Sequence, residues 1–278
     1  MKTPENLRPG QPTAVVVGAG GMAVAAARRL GIGHRLLVAD RDAAHLDAQV
    51  AALRSEGHDA VGLVTDVTDR GAVERLAEAA SAMAPLRSLA HVVGIAPATG
   101  APDAILRVNL RGAALVAEAF STVMPAGSAA VFVSSMAAHL GSAPPEVLPL
   151  IDDPLDGDIV ERVRAVVGEL TSNAAYTWSK IGVTRMVRRL APDWGRRGVR
   201  IVSLSPGLIL TPMGIAGAAG PERQALMNLL PFGREGTTIE ITDALEFLLS
   251  ERASFVSGVD LLVDGALTAA IAQATTAG

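Results

Sequence analysis

The sequence predicts an α/β protein built on a doubly wound parallel sheet, and three observations carry that expectation. Short β-branched or apolar runs alternate with stretches of helical period from Thr13 onward. The first run, Thr13–Val17, leads straight into the turn Gly18-Ala19-Gly20-Gly21-Met22-Ala23 and then into a helical stretch. No break in composition separates a second domain, and 278 residues are enough to bury one large core. The balance of 28 acidic against 24 basic side chains implies no attraction to nucleic acid or an anionic membrane surface. The absence of cysteine excludes disulfides and thiol chemistry and suits a cytoplasmic protein. Residues 1–12 read as a polar lead-in without the apolar core of a signal peptide, and no apolar run reaches spanning length.

Taken in order, Gly18 and Gly20 fit the first two glycines of a dinucleotide-binding turn. One permits the bend, the other lets backbone approach a pyrophosphate, and Ala23 is small enough for helix–strand packing. The bland alternative is an ordinary glycine-rich loop. The next strand, 35–39, ends in Asp40, where a carboxylate can accept from adenosine ribose hydroxyls and repel a 2′-phosphate. This favours NAD over NADP, although Arg41 beside it could greet a 2′-phosphate, and Asp40 could also cap the helix over 43–53. A strand at 60–65 precedes Asp66-Val67-Thr68-Asp69, where Asp66 either reaches the adenine edge or serves as a turn or cap residue. A fourth strand, 88–93, ends at Gly94. A helix over 105–120 carries Asn109 near its start, and a strand at 129–133 ends in Ser134-Ser135. A serine there faces the ligand crevice of an open α/β sheet, or else bonds nearby backbone.

Tyr176, the one tyrosine of the chain, and Lys180 stand four apart on the next long helical run. On a helix they share a face, and a fixed cation beside a phenol favours the phenolate, lowering a pKa that is about 10 in water. Such a phenol can pass a proton to or from an alcohol or carbonyl oxygen. A chance pairing on any helix is the alternative when these two residues are taken alone.

With these residues in place, the chain resembles the short-chain dehydrogenase/reductase superfamily from about Thr13 to Gly265. The likeness lies in the glycine turn, Asp40, Asp66, Asn109, Ser135, the Tyr176-x-x-x-Lys180 helix, the segment Ser205-Pro206-Gly207-Leu208-Ile209-Leu210-Thr211-Pro212-Met213 and Val263-Asp264-Gly265. The resemblance implies one Rossmann-like domain, residues 13–267, that binds NAD, with NADP less favoured. Ser135 would hold the substrate oxygen, Tyr176 would be the general acid/base, Lys180 would bind the nicotinamide ribose, and Asn109 would hold a relay water. Gly18, Gly20, Gly21, Met22, Asp40, Arg41, Asp66, Val67, Gly94, Pro206, Gly207, Ile209 and Thr211 would join Tyr176 and Lys180 around the cofactor. It also implies a homotetramer or homodimer built partly on the Tyr176 helix. The expected reaction is hydride transfer between nicotinamide and a secondary alcohol or ketone. A nucleotide-sensing or assembly protein that keeps the fold is the alternative, and an epimerase or dehydratase of the family's extended branch uses the same Tyr and Lys.

Three departures from the family pattern stand out. Val17, Met22 and Val24 occupy positions of the usual Thr-Gly-x-x-x-Gly-x-Gly loop, so two glycines are missing. The usual Asn-Asn-Ala-Gly is His91-Val92-Val93-Gly94, with His91 expected to be a buried, hydrogen-bonded imidazole rather than a catalytic one. The interval from Ser135 to Tyr176 is long and holds an insertion at about 141–172, first rich in Pro and Asp and then helical over 159–170. It reads as a lid or an assembly surface, similar to insertions in bacterial hydroxysteroid dehydrogenase/carbonyl reductase members, and its aspartates match no calcium loop, so no metal is expected. Residues 212–236 form an apolar flap that predicts an apolar substrate or simply packs on the domain. A strand at 259–263 closes the sheet, and the tail 268–278 carries no signal.

Overall fold

The computed structural model describes residues 10–83, 85–211 and 221–276. Seven parallel strands run in the order β3-β2-β1-β4-β5-β6-β7. They are β1 Thr13–Val17, β2 Arg35–Asp40, β3 Ala60–Val64, β4 Leu86–His91, β5 Ala129–Val133, β6 Arg200–Pro206 and β7 Asp260–Val263. Every residue of β1 and β5 is buried, as a strand covered by helices on both faces requires.

The period-2 alternation of β1 feeds two cores. Val15 and Val17 pack beneath α3 (Arg70–Ala82), α5 (Ala113–Val123) and α9 (Ser172–Arg196). Ala14 and Val16 pack beneath α1 (Gly21–Leu30), α2 (Ala43–Ser55) and α11 (Thr238–Leu249). The strand order reverses between β1 and β4, and the crevice at their carboxyl ends is where open α/β sheets take ligands.

The insertion forms α7 (Leu148–Asp152) and α8 (Ile159–Val167) and brings its own core. Val147, Ile151, Ile159, Val160 and Val163 bury against Ile105, Leu106 and Leu110 and against Ala175 and Trp178 of α9. Asp152 takes Arg185 and Arg189 of α9 as ion-pair partners.

Several boundaries differ from the sequence expectation. The fourth strand stops at His91, so Val92 to Gly94 already belong to the loop. The helix expected over 105–120 begins as α4 at Pro102–Ile105, with proline in its first turn, and passes through a π-helical turn, Leu106–Gly112. The last strand is followed by α12, Leu267–Thr276, where only an uninformative tail was expected. Residues 1–9 of the lead-in and 212–220 of the flap lie outside the described residues; the flap continues as α10, Pro221–Leu229.

Candidate active site

The glycine turn takes its shape from Gly18, whose φ of 116° is closed to L side chains at low cost and whose N–H donates to Ala39 O at 2.6 Å. Gly20 caps α1 without a side chain, and a Cβ built on it would meet no atom within 4 Å. The outer face of the turn therefore stands open at a helix N-terminus, the arrangement that receives phosphate oxygens. Asp40, at the end of β2, does not cap the next helix; Asp42 does, accepting from His45 N–H. The Asp40 carboxylate instead accepts from Ala19 N–H at 2.8 Å and Asp42 N–H at 3.0 Å, which fixes it at the lip of the turn. Asp66 accepts from the backbone and hydroxyl of Thr68, and Asp69 caps α3.

Beyond β5 the two serines part. Ser134 is buried and donates to Lys180 O at 3.0 Å, so it anchors α9. Ser135 lies on the cleft and accepts from Ala137 N–H at 3.2 Å at the start of α6 (Ala137–Leu140). That short helix is tied to the far strand by His139 Nε2 at 2.6 Å from Asp260 Oδ2. Lys180 is 4% exposed, donates from Nζ to Val133 O at 3.1 Å, and sits 5.6 Å from the centroid of the Tyr176 ring.

Burial pushes the Tyr176 phenol up, and its hydrogen bond with Ser135 opposes this. Burial alone pulls the Lys180 ammonium down to about 8. The lowered phenol expected from the Tyr-Lys spacing is thus reversed by desolvation in the chain by itself, because both charged forms lose water.

Asn109 has a structural task that the sequence reading did not name. Its side-chain amide is closed on the backbone of Ile95, accepting from N–H at 2.7 Å and donating to C=O at 2.9 Å. The amide clamps the loop after β4 to the π-helical turn. It remains close to the site, since a Cβ at Gly94 would stand 3.5 Å from both Asn109 Oδ1 and Lys180 Nζ.

One cleft of about 990 Å³ collects these groups. Gly18, Gly20, Gly21, Met22, Asp40, Arg41, Asp66, Val67, Gly94, Pro206, Gly207, Ile209 and Thr211 all line it, together with Ser135, Tyr176 and Lys180, whereas Asn109 stands behind the wall. Pro206-Gly207 is held close to the end of β7, where a Cβ on Gly207 would fall 2.6 Å from Asp264 Cα. The lining of the cleft also includes Ile95, Ala96, Pro97, Leu140, Thr177, Leu208 and Arg223. Sequence reasoning missed these, as it missed His45, because no local pattern marks a residue whose place is set by a neighbouring loop. Among the described residues no acidic, His or Cys cluster could hold a metal, and no helix is long and apolar enough to cross a membrane.

Comparison with known proteins agrees with this geometry. Residues 12–147 match the model of the short chain dehydrogenase family, and residues 157–268 match that described as enoyl-(acyl carrier protein) reductase. Galactitol 2-dehydrogenase (L-tagatose-forming) of Cereibacter sphaeroides is 34% identical over 85% of this chain and 86% of its own. The 3-alpha-hydroxysteroid dehydrogenase/carbonyl reductase of Comamonas testosteroni is 31% identical over 78% and 90%. A crystal structure of a dehydrogenase/reductase from Sinorhizobium meliloti shares the fold, with TM-score 0.75 and 23% identity over 92% of this chain and 94% of that one. On these matches and on the parallel sheet that bears the cleft, the chain belongs to the short-chain dehydrogenase/reductase family of oxidoreductases.

Proposed function

We propose that the protein is an NAD-dependent dehydrogenase/reductase that interconverts a secondary alcohol and a ketone on an apolar substrate. The observation that carries this reading is the convergence of Ser135, Tyr176 and Lys180 on the same cleft as the glycine turn. A nicotinamide dinucleotide fits the donor set: an open glycine turn at a helix N-terminus for the diphosphate, Asp40 for the ribose, and Lys180 with Thr211 at the far end. When bound, it supplies or takes the hydride.

The chain's own groups handle the proton. Ser135 donates to the substrate oxygen and holds it beside Tyr176. Tyr176 receives the alcohol proton as the C–O bond becomes a carbonyl, or returns it during reduction. A phenolate and an ammonium that line the same cleft favour one another, and each is costly to bury alone. Lys180 therefore helps set the pH at which Tyr176 can accept a proton.

NAD is preferred over NADP because the Asp40 carboxylate, fixed at the lip of the turn, would face a 2′-phosphate. The apolar wall of Ile95, Ala96, Pro97, Leu140 and Leu208 favours a steroid-like or other carbon-rich carbonyl compound over a polyol. Assembly as a homodimer or homotetramer, and a cytoplasmic location, rest on the family likeness and the lack of cysteine. The deciding experiment is turnover of NADH with a panel of cyclic ketones by wild type and Tyr176→Phe. The variant should bind NADH normally and lose activity by about a hundredfold or more. Equal turnover by the two would overturn the mechanism.

A further inference from the structure

The turn between β1 and α1 lacks two glycines of the family pattern, and its shape is set from outside by two side chains. Ala19, at its middle, donates its N–H to Asp40 Oδ2 at 2.8 Å, while its C=O lies 2.9 Å from His45 Nε2. A carbonyl only accepts, so the imidazole carries its proton on Nε2. His45 stands in the first turn of α2 and lines the cleft.

The Ala19 C=O and the Gly20 N–H belong to one planar trans peptide and point in opposite directions. Holding the carbonyl toward His45 therefore holds the Gly20 N–H the other way. Rotation of this peptide turns ψ of Ala19 and φ of Gly20, and the glycine offers little resistance. Were the peptide to flip, the Ala19 oxygen would take the place of the Gly20 N–H, one of the first donors at the start of α1, and an oxygen repels an anion where an N–H attracts it.

We infer that His45 is a positioning residue of the dinucleotide site: it locks the Ala19–Gly20 peptide in the orientation that receives the diphosphate. This rests on the oxidoreductase reading above. His45 itself is exposed, and α2 is capped independently by Asp42, so losing the imidazole removes the lock without removing the helix.

The test is NADH titration of wild type, His45→Ala and His45→Gln, with amide hydrogen exchange at residues 19–22 measured in the free protein. His45→Ala should weaken NADH binding about five- to tenfold, the loss of one interaction of ordinary strength. Exchange in the turn should quicken while the melting temperature holds. His45→Gln, whose amide can donate to the same carbonyl, should recover most of the affinity. Unchanged NADH affinity in His45→Ala overturns the inference even if exchange quickens, because the lock would then not serve the cofactor. Equal losses in both variants with a lowered melting temperature also overturn it. A wild type that binds no dinucleotide brings down the oxidoreductase reading itself, before any variant is compared.

Discussion

His91 sits at the end of β4 with its ring stacked on Phe132, centroids 5.3 Å apart, and its Nε2 has no hydrogen-bond partner among the described residues. Burial, with the Lys180 charge second, pulls its pKa down to about 3. The native imidazole thus stays neutral while the unfolded one, with an ordinary value of about 6.5, takes up a proton first as pH falls. Stability that is present above about pH 6.5 is lost progressively toward pH 3, amounting to about 2 kcal/mol between pH 7 and pH 5. His91→Asn should remove that part of the loss, measured as the difference in urea midpoints at the two pH values; an unchanged difference would show that His91 is not its source. The burial was legible, since His91 continues an apolar strand. The expected hydrogen bonding is met only in part: the ring bonds the residue's own backbone, and Nε2 has no partner among the described residues. The same holds for Asn109: its type and position were readable, but not the backbone of Ile95 closing on it.

Among the elements, α9 does two jobs. Its inner face carries Val183, Met186 and Val187 into the main core, and its first turns carry Trp178 into the insertion. Trp178 is 9% exposed and donates from Nε1 to Ser142 O at 3.2 Å. Trp178→Ala should cost about 3–5 kcal/mol in denaturant unfolding, the range for emptying a large aromatic site. It should also expose residues 141–158 to limited proteolysis. Resistance equal to wild type would mean that the insertion is held by other contacts. The insertion's helix over 159–170 and its polar start were visible from periodicity and from Pro and Asp content. Its docking face was not, because amphipathicity names an apolar side without naming what covers it.

For the molecule as a whole, the insertion's core is continuous with α9 and with Ile105, Leu106 and Leu110 ahead of α5. It should therefore melt with the sheet in a single calorimetric transition, with calorimetric and van't Hoff enthalpies agreeing. A separate early transition, or rapid exchange confined to residues 141–171, would show an independent unit. A mobile lid reading fits this packing poorly. The insertion is better described as a brace on the helix that carries Tyr176 and Lys180.

Local order in the sequence determined the class of fold, the glycine turn, the acid ending β2, the serine ending β5 and the Tyr-Lys pair, because each depends on residues adjacent in the chain or one helical turn apart. Only the tertiary structure decided the protonation balance of the site, the use of Asn109 as a clamp, the hold of His45 on Ala19 and the docking of the insertion. These depend on desolvation and on hydrogen bonds between segments far apart in sequence, and both arise only once the chain has closed around its sheet.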